Sequence, residues 1–286
     1  MKLRKDRGDI VIGWSEAGPF FAIYILMRIM LRLLLGEIRR NHIIRTLPIH
    51  YYTVLARNRY TALLLRHEPH VRRVIKQGLK DGQTFIDVGA FLGFHTLYAY
   101  KILRSKKYYK IIAVEPYPPN YNILKRKIDR IKAKNIILVD EAIYIKDATE
   151  VEYYRGGLCN WFGCGESPSG SVLPTKQYKR GDYSSDGVLR VRTVRLDSLI
   201  NRFGLKRVDL IKMDIEGAEY HVLTDPTLDL SKVENLIVEV HYNYMSRESH
   251  EIIGALTRKG FKIVPLYPNR TPKSYHLLAC RDKVPW

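Results

Sequence analysis

The sequence predicts an α/β fold: a mostly parallel sheet with an antiparallel last strand, preceded by a helical N-terminal extension. Three observations predict it. Short apolar runs that suit strands buried on both faces recur at Thr84–Ile86, Ile111–Val114, Asn135–Val139, Val208–Met213 and Leu236–His241. Segments of helical period, such as Phe94–Ile102 and Tyr121–Lys132, separate the early runs. Several runs also close on acids, at the strand ends where open α/β sheets bind ligands. The expected organisation is a basic and apolar segment over 1–46, a helical cap over 47–80 and the sheet domain over 81–286.

The composition sets broad limits. A hydrophobic content of 46% beside 27% charged residues describes a folded chain with a sizeable core. The net charge of +19 favours a polyanionic neighbour (membrane surface, nucleic acid or acidic substrate), or else a solvated surface rich in Lys and Arg. Cys159, Cys164 and Cys280 are too few for a disulfide framework and fit a reducing compartment. Cys159 and Cys164 have no second pair and no nearby His, which argues against a zinc site.

Near the N-terminus, Pro19–Leu35 is apolar except for Arg28 and Arg32, which lie four apart on one stripe. In a span, each arginine would cost roughly 2.5–3.5 kcal/mol near the bilayer centre. In a helix lying at the interface, both sit among headgroups at little cost. Residues 18–40 are therefore expected to contact a membrane surface, ahead of packing on the core, with a true span third. No small-residue cleavage site follows, so a signal peptide fits poorly. The expected compartment is the cytoplasm, at the inner face of the membrane if that surface contact forms. From Leu47 to Lys80 the pattern is mostly helical, broken by Pro48 and Pro69 and ended by Asp81-Gly82.

The first strand turns through Asp87-Val88-Gly89-Ala90-Phe91-Leu92-Gly93 into a helix. Gly89 and Gly93 permit a sharp turn and close backbone approach, while the helix presents free N–H groups. The three-glycine dinucleotide fingerprint is absent. The second strand ends in Glu115, where an acid of an α/β nucleotide fold holds ribose hydroxyls, and Pro116, Pro118 and Pro119 lead into the next helix. The third ends in Asp140-Glu141, positioned for an adenine amine or for a plain surface turn. Val151–Tyr154 suits an extra strand. From Arg155 to Gly187 runs a Gly-, Ser-, Tyr- and Pro-rich loop whose Trp161, Phe162, Tyr178 and Tyr183 could line a substrate pocket. Val191–Val194 then leads into a short helix.

The second chemical centre is Val208–Glu219. Asp214 falls at the strand tip, Glu216 in the turn, and Glu219 reads as a helix-start acid suited to the dipole. Lys212 accompanies them. On the fifth strand Glu239 and His241 are alternate residues on one face. Helix Glu248–Lys259 and strands Phe261–Leu266 and Tyr275–Cys280, an antiparallel pair, complete the chain.

The segments FIDVGAFLGFHT, AVEPYPPN, VRLDSL, VDLIKMDIEGAE and VEVH together resemble the FkbM-type methyltransferase family, from about Gly82 to Cys280. The resemblance implies the Rossmann-like methyltransferase sheet, S-adenosylmethionine as methyl donor, and transfer to a hydroxyl of a sugar, glycolipid or secondary metabolite. It implies that Asp87, Gly89 and Gly93 shape the methionine and ribose end. Glu115 would hold the ribose, and Asp140 or Glu141 would face the adenine. Asp214, Glu216, Glu239 and His241 would surround the methyl group and the acceptor. The family usually carries a small polar residue, often Asn, where this chain has Phe91.

An attacking alcohol must lose a proton, so a base is expected, Asp214 or His241. The carboxylates could instead hold a divalent ion that polarises the hydroxyl; no metal ligand is assigned. The positive charge suggests an RNA or nucleoside methyltransferase as the rival. The fourth strand ends in Asp-Ile-Glu-Gly, however, and not in the Asp/Asn-Pro-Pro-aromatic turn of base amino-group methylation, so nucleic acid is the less favoured partner. A catalytically silent membrane-associated protein of the same fold is a further alternative, and a nicotinamide dehydrogenase comes last.

Overall fold

A computed structural model describes residues 4–6, 9–11, 68–80, 82–154, 170–173, 188–268 and 274–282. The chain divides into two units, Met1–Pro69 and His70–Trp286. In the first, Arg4–Asp6 pairs antiparallel with Asp9–Val11. Residues 18–40 and the greater part of the expected cap lie outside the described residues. Among the described residues no helix is long and apolar enough to cross a membrane.

The second unit alternates strands and helices. It begins with α1 (Pro69–Gly78), β1 (Thr84–Val88), α2 (Phe94–Leu103), β2 (Lys110–Val114), α3 (Pro118–Ile131) and β3 (Ile136–Val139). Next come β4 (Ala142–Ile143), β5 (Glu150–Tyr154), β6 (Val188–Val194) and α4 (Leu196–Arg202). It ends with β7 (Leu210–Met213), α5 (Glu219–Thr224), β8 (Asn235–Val240), α6 (Arg247–Arg258), β9 (Lys262–Pro268) and β10 (Tyr275–Cys280). The main sheet runs β9-β10-β8-β7-β1-β2-β3. Only β10 is antiparallel to its neighbours, β8 and β9. The extra strand expected at Val151–Tyr154 is β5, and it pairs with β6 in a separate three-stranded sheet, not in the main one.

The strand sequences explain this layering. Alternate residues of the central strands face opposite ways, and both sets are apolar because helices cover both faces. Phe85, Ile111 and Leu210 pack with Val74 and Ile75 of α1, Leu103 of α2 and Leu124 of α3. Ile86, Ile112 and Ile211 pack on the opposite side with Leu199 of α4, Val222 of α5 and Ile252 of α6. The helix expected from Tyr121 starts three residues sooner, at Pro118, because proline's fixed φ and missing N–H suit a first helical turn.

From β1 the strand order steps outward to β2 and β3 in one direction and to β7 in the other. The carboxyl ends of β1 and β7 therefore flank the point where such sheets open a ligand crevice. Here the two strands approach closely. Gly89 has φ +76°, and a Cβ on it would lie 1.8 Å from the Asp214 carbonyl oxygen. The closeness anticipated at this glycine is thus first an approach to the next strand's backbone. Gly204 has φ +62°, and a Cβ there would meet nothing within 4 Å. Gly204→Ala should therefore cost only backbone strain, about 1–2 kcal/mol. Gly89→Ala should cost clearly more, because backbone must move as well. Urea unfolding of the two variants checks this, and equal losses would contradict it.

Candidate active site

The structure builds the first half of the site from the β1–α2 turn and the tip of β2. Asp87 is buried. Its Oδ2 accepts a 2.6 Å hydrogen bond from Thr96 Oγ1, and its Oδ1 lies 4.0 Å from Lys212 Nζ with no hydrogen bond among the described residues. Lys212 is its register partner on β7, and its ammonium also donates to the Gly89 carbonyl (3.2 Å) and to Asp214 Oδ2 (3.1 Å). Burial holds the Asp87 carboxyl above its usual range, against the pull of Lys212 and Thr96.

Glu115 is also buried. It accepts from Phe91 N (2.7 Å) through Oε2, and from Tyr117 N (3.0 Å) and Asn120 Nδ2 (3.3 Å) through Oε1. Burial pushes its pKa up to about 7 in spite of these donors. Phe91 has φ +50°, a left-handed conformation that Asn tolerates better than an aromatic residue. At Gly93 (φ +80°) a Cβ would lie 2.3 Å from Leu124 Cδ1, so α3 sits directly on the turn.

The second half surrounds one imidazole. His241 Nδ1 lies 3.1 Å from Glu219 Oε1. Its Nε2 lies 3.4 Å from Glu216 Oε2, 3.8 Å from Asp214 Oδ1 and 3.9 Å from Glu239 Oε1. Burial alone would lower the His241 pKa. The carboxylates, Glu219 first, override it and hold the ring well above 6.5. Glu216 is raised to about 8, chiefly by burial and then by Asp214 and Glu219. The turn carrying these acids is left-handed at both Glu216 (φ +54°) and Gly217 (φ +103°).

Asp87, Glu115, Asp214, Glu216, Glu239 and His241 thus converge on the strand ends around Lys212 and the two turns. Asp140 and Glu141 stand apart: Asp140 is exposed, and Glu141 pairs with Arg202 of α4. Of the 155–187 loop, Ser171 is buried and donates to the Ile215 carbonyl (3.4 Å). Trp161, Phe162, Tyr178 and Tyr183 lie outside the described residues.

Three partners are not marked in the sequence, and a fourth is marked only in part. Thr96 and Asn120 sit nine and five residues beyond the acids they serve, with no motif to mark them. His276, 3.5 Å from Glu239 Oε2, arrives through the β8–β10 pairing that sets it opposite Glu239. Glu219 was visible, but only as a helix-start acid. It is fully buried, and its carboxylate accepts from Ile215 N (2.8 Å) and Gly217 N (2.9 Å).

Donor atoms of Asp214, Glu219 and His241 lie within 4.8 Å of one another, close enough together to raise the question of a divalent ion. Glu219 is the weak member of the grouping, because both its oxygens already accept from backbone N–H groups and Oε1 also faces His241 Nδ1.

The strand order and the acids crowning β1, β2 and β7 define a Rossmann-like fold of the methyltransferase class. The chain belongs to the FkbM methyltransferase domain family, whose family model matches residues 87–263. It is 26% identical over 181 residues to the hexuronic acid methyltransferase AglP of Haloferax volcanii, covering 62% of this chain and 64% of AglP. The chain therefore spans just under two thirds of that relative. It is also 26% identical over 241 residues to the methyltransferase sdnD of Sordaria araneosa, covering 71% of this chain and 83% of sdnD. Among solved structures, a SAM dependent methyltransferase from Aquifex aeolicus aligns over 82% of this chain and 98% of its own, at 15% identity and a TM-score of 0.41.

A carboxyl whose folded pKa exceeds its unfolded value adds stability that is complete below the unfolded pKa and is lost as pH rises through the folded one. For Glu216 that window runs from 4.5 to about 8. Glu216→Gln should therefore gain stability relative to the parent as pH rises from 5 to 8, by on the order of 2 kcal/mol. Thermal unfolding across that range measures the difference; a constant offset would refute the burial effect.

Proposed function

We propose that this chain is an S-adenosylmethionine-dependent O-methyltransferase acting on a hydroxyl of a sugar, glycolipid or other polyhydroxylated metabolite. The observation that carries it is the gathering of Asp87, Glu115 and Asp214 at neighbouring strand ends, linked through Lys212 and the Phe91 N–H. The buried Asp87 Oδ1 without a hydrogen bond among the described residues and the half-neutral Glu115 suit a ligand that brings its own donors and positive charge. When bound, the sulfonium supplies the electrophilic methyl group.

The protein's own residues divide the remaining tasks. Glu115 accepts from the ribose hydroxyls, and Asp87 with the β1–α2 turn holds the amino-acid end. Asp140, at the exposed tip of β3, is the acid left to meet the adenine, since Glu141 is engaged by Arg202. The acids around His241, Glu219 first, hold its ring toward the protonated form, in which Nε2 faces the acceptor as a hydrogen-bond donor. Asp214 then takes the hydroxyl proton, its Oδ1 having no hydrogen bond among the described residues. Glu216 and Glu239 orient the acceptor through its hydroxyls. Alignment of the two reacting atoms supplies most of the acceleration, as expected where positioning dominates. AglP's name, a hexuronic acid methyltransferase, supports a carbohydrate acceptor, and methylation assays against host glycans and glycolipids test that reading.

Two outcomes follow for cofactor binding, measured by calorimetry with S-adenosylhomocysteine. Glu115→Ala should weaken binding roughly 10- to 150-fold, the loss of hydrogen bonds to a charged acceptor, with the fold intact. Ribose hydroxyls favour the ionised carboxylate, so parental affinity should be level above pH 7 and fall as pH drops below it. Unaltered affinity in the variant would remove Glu115 from the site.

A further inference from the structure

Glu219 does more than close its own turn. A helix-start acid is satisfied by backbone N–H groups, and Glu219 has two, Ile215 N and Gly217 N. A third partner reaches it from another strand: His241 Nδ1, at 3.1 Å from Oε1. Both Glu219 oxygens already accept from backbone N–H groups, so the hydrogen shared with the ring is assigned to Nδ1. That leaves Nε2 pointing at Asp214, Glu216 and Glu239.

We infer that Glu219 is the positioning residue of the acceptor site: it keeps a proton on Nδ1 of His241 and fixes the orientation of the ring so that Nε2 is presented to the acceptor hydroxyl. This rests on the methyl-transfer reading for the purpose of the imidazole, not for its geometry. Three features support it. Glu219 is wholly buried, so no water competes for Oε1. Its two backbone bonds pin the carboxylate, which leaves the imidazole to adapt to it. The neighbouring turn is held as well, since Tyr242 Oη, one residue past His241, donates to the Gly217 carbonyl (3.1 Å). The same contacts tie the β7–α5 turn to the end of β8. The charged groups facing His241 are Glu219 on α5, Asp214 and Glu216 in the turn before it, and Glu239 on its own strand; Lys212 opposes them from β7. Glu219 is the nearest of the carboxylates and the first cause of the upward displacement of the histidine.

The test is nitrogen-resolved NMR of the full-length protein labelled with 15N-histidine, with His241→Gln identifying the resonance. In the parent protein, Nδ1 should bear a proton at every pH between 6 and 9, and Nε2 should be the nitrogen that titrates. In Glu219→Gln the midpoint should fall by at least one pH unit, and Glu219→Asp should restore part of it. A neutral ring with Nδ1 bare in the parent overturns the inference even if neither variant folds. An unmoved midpoint in a folded Glu219→Gln overturns it too. Binding of S-adenosylhomocysteine to the parent is measured in parallel. Its absence would defeat the proposed function and leave the Glu219–His241 result standing.

Discussion

One buried ammonium holds the site together. Lys212 stands in the middle of the sheet, on a strand whose other residues, Leu210, Ile211 and Met213, are wholly apolar and buried. Its nitrogen reaches a carbonyl of the β1 turn and the carboxylate of Asp214, with Asp87 at 4.0 Å. An isolated ion at that depth would be prohibitively unstable, and so would Asp87 alone. Together they are tolerable, and their mutual need brings the two central strand tips into one charged layer above an apolar sheet. The tight approach at Gly89 follows, because the strand crests can meet over Lys212 only where one of them lacks a Cβ.

Two kinds of carboxylate result. Asp87 and Glu115 are shut in by turns and supplied with N–H or O–H donors, leaving room for a ligand that adds more. Asp214, Glu216, Glu219 and Glu239 are arranged around a ring, and the first three raise that ring's affinity for a proton. The first set suits recognition of a bound nucleoside. The second surrounds one imidazole and holds it toward its protonated form.

Much of the fold was legible because its signals are local. The central strands are short, mostly apolar runs, and the acids at their tips could be placed by counting from them. What stayed hidden depends on contacts between distant segments. Glu239 and His276 meet only through the register of β8 with β10. Glu141 looked like a ligand for a base, but Arg202, sixty-one residues further on, occupies it. For Glu219, position explains the helix-start role and the two backbone bonds, but only the residue following β8 supplies the third contact. Phe91 shows the opposite case. Its departure from the family's usual small polar residue was visible in sequence, yet the consequence is conformational. The side chain occupies a left-handed position, while the contact that matters to Glu115 comes from its backbone N–H, which any residue but proline provides.

The upward displacement of Asp87, Glu115 and Glu216 by burial has one further consequence. Each marks a carboxylate held in surroundings that favour its neutral form, a local instability that packing elsewhere sustains. Such groups gain most when donors or positive charge arrive, because the ionised form then ceases to be disfavoured. A crevice of this kind discriminates by chemistry as much as by shape. Under the proposed function, a ligand offering hydroxyls and a cation would relieve several displaced groups at once.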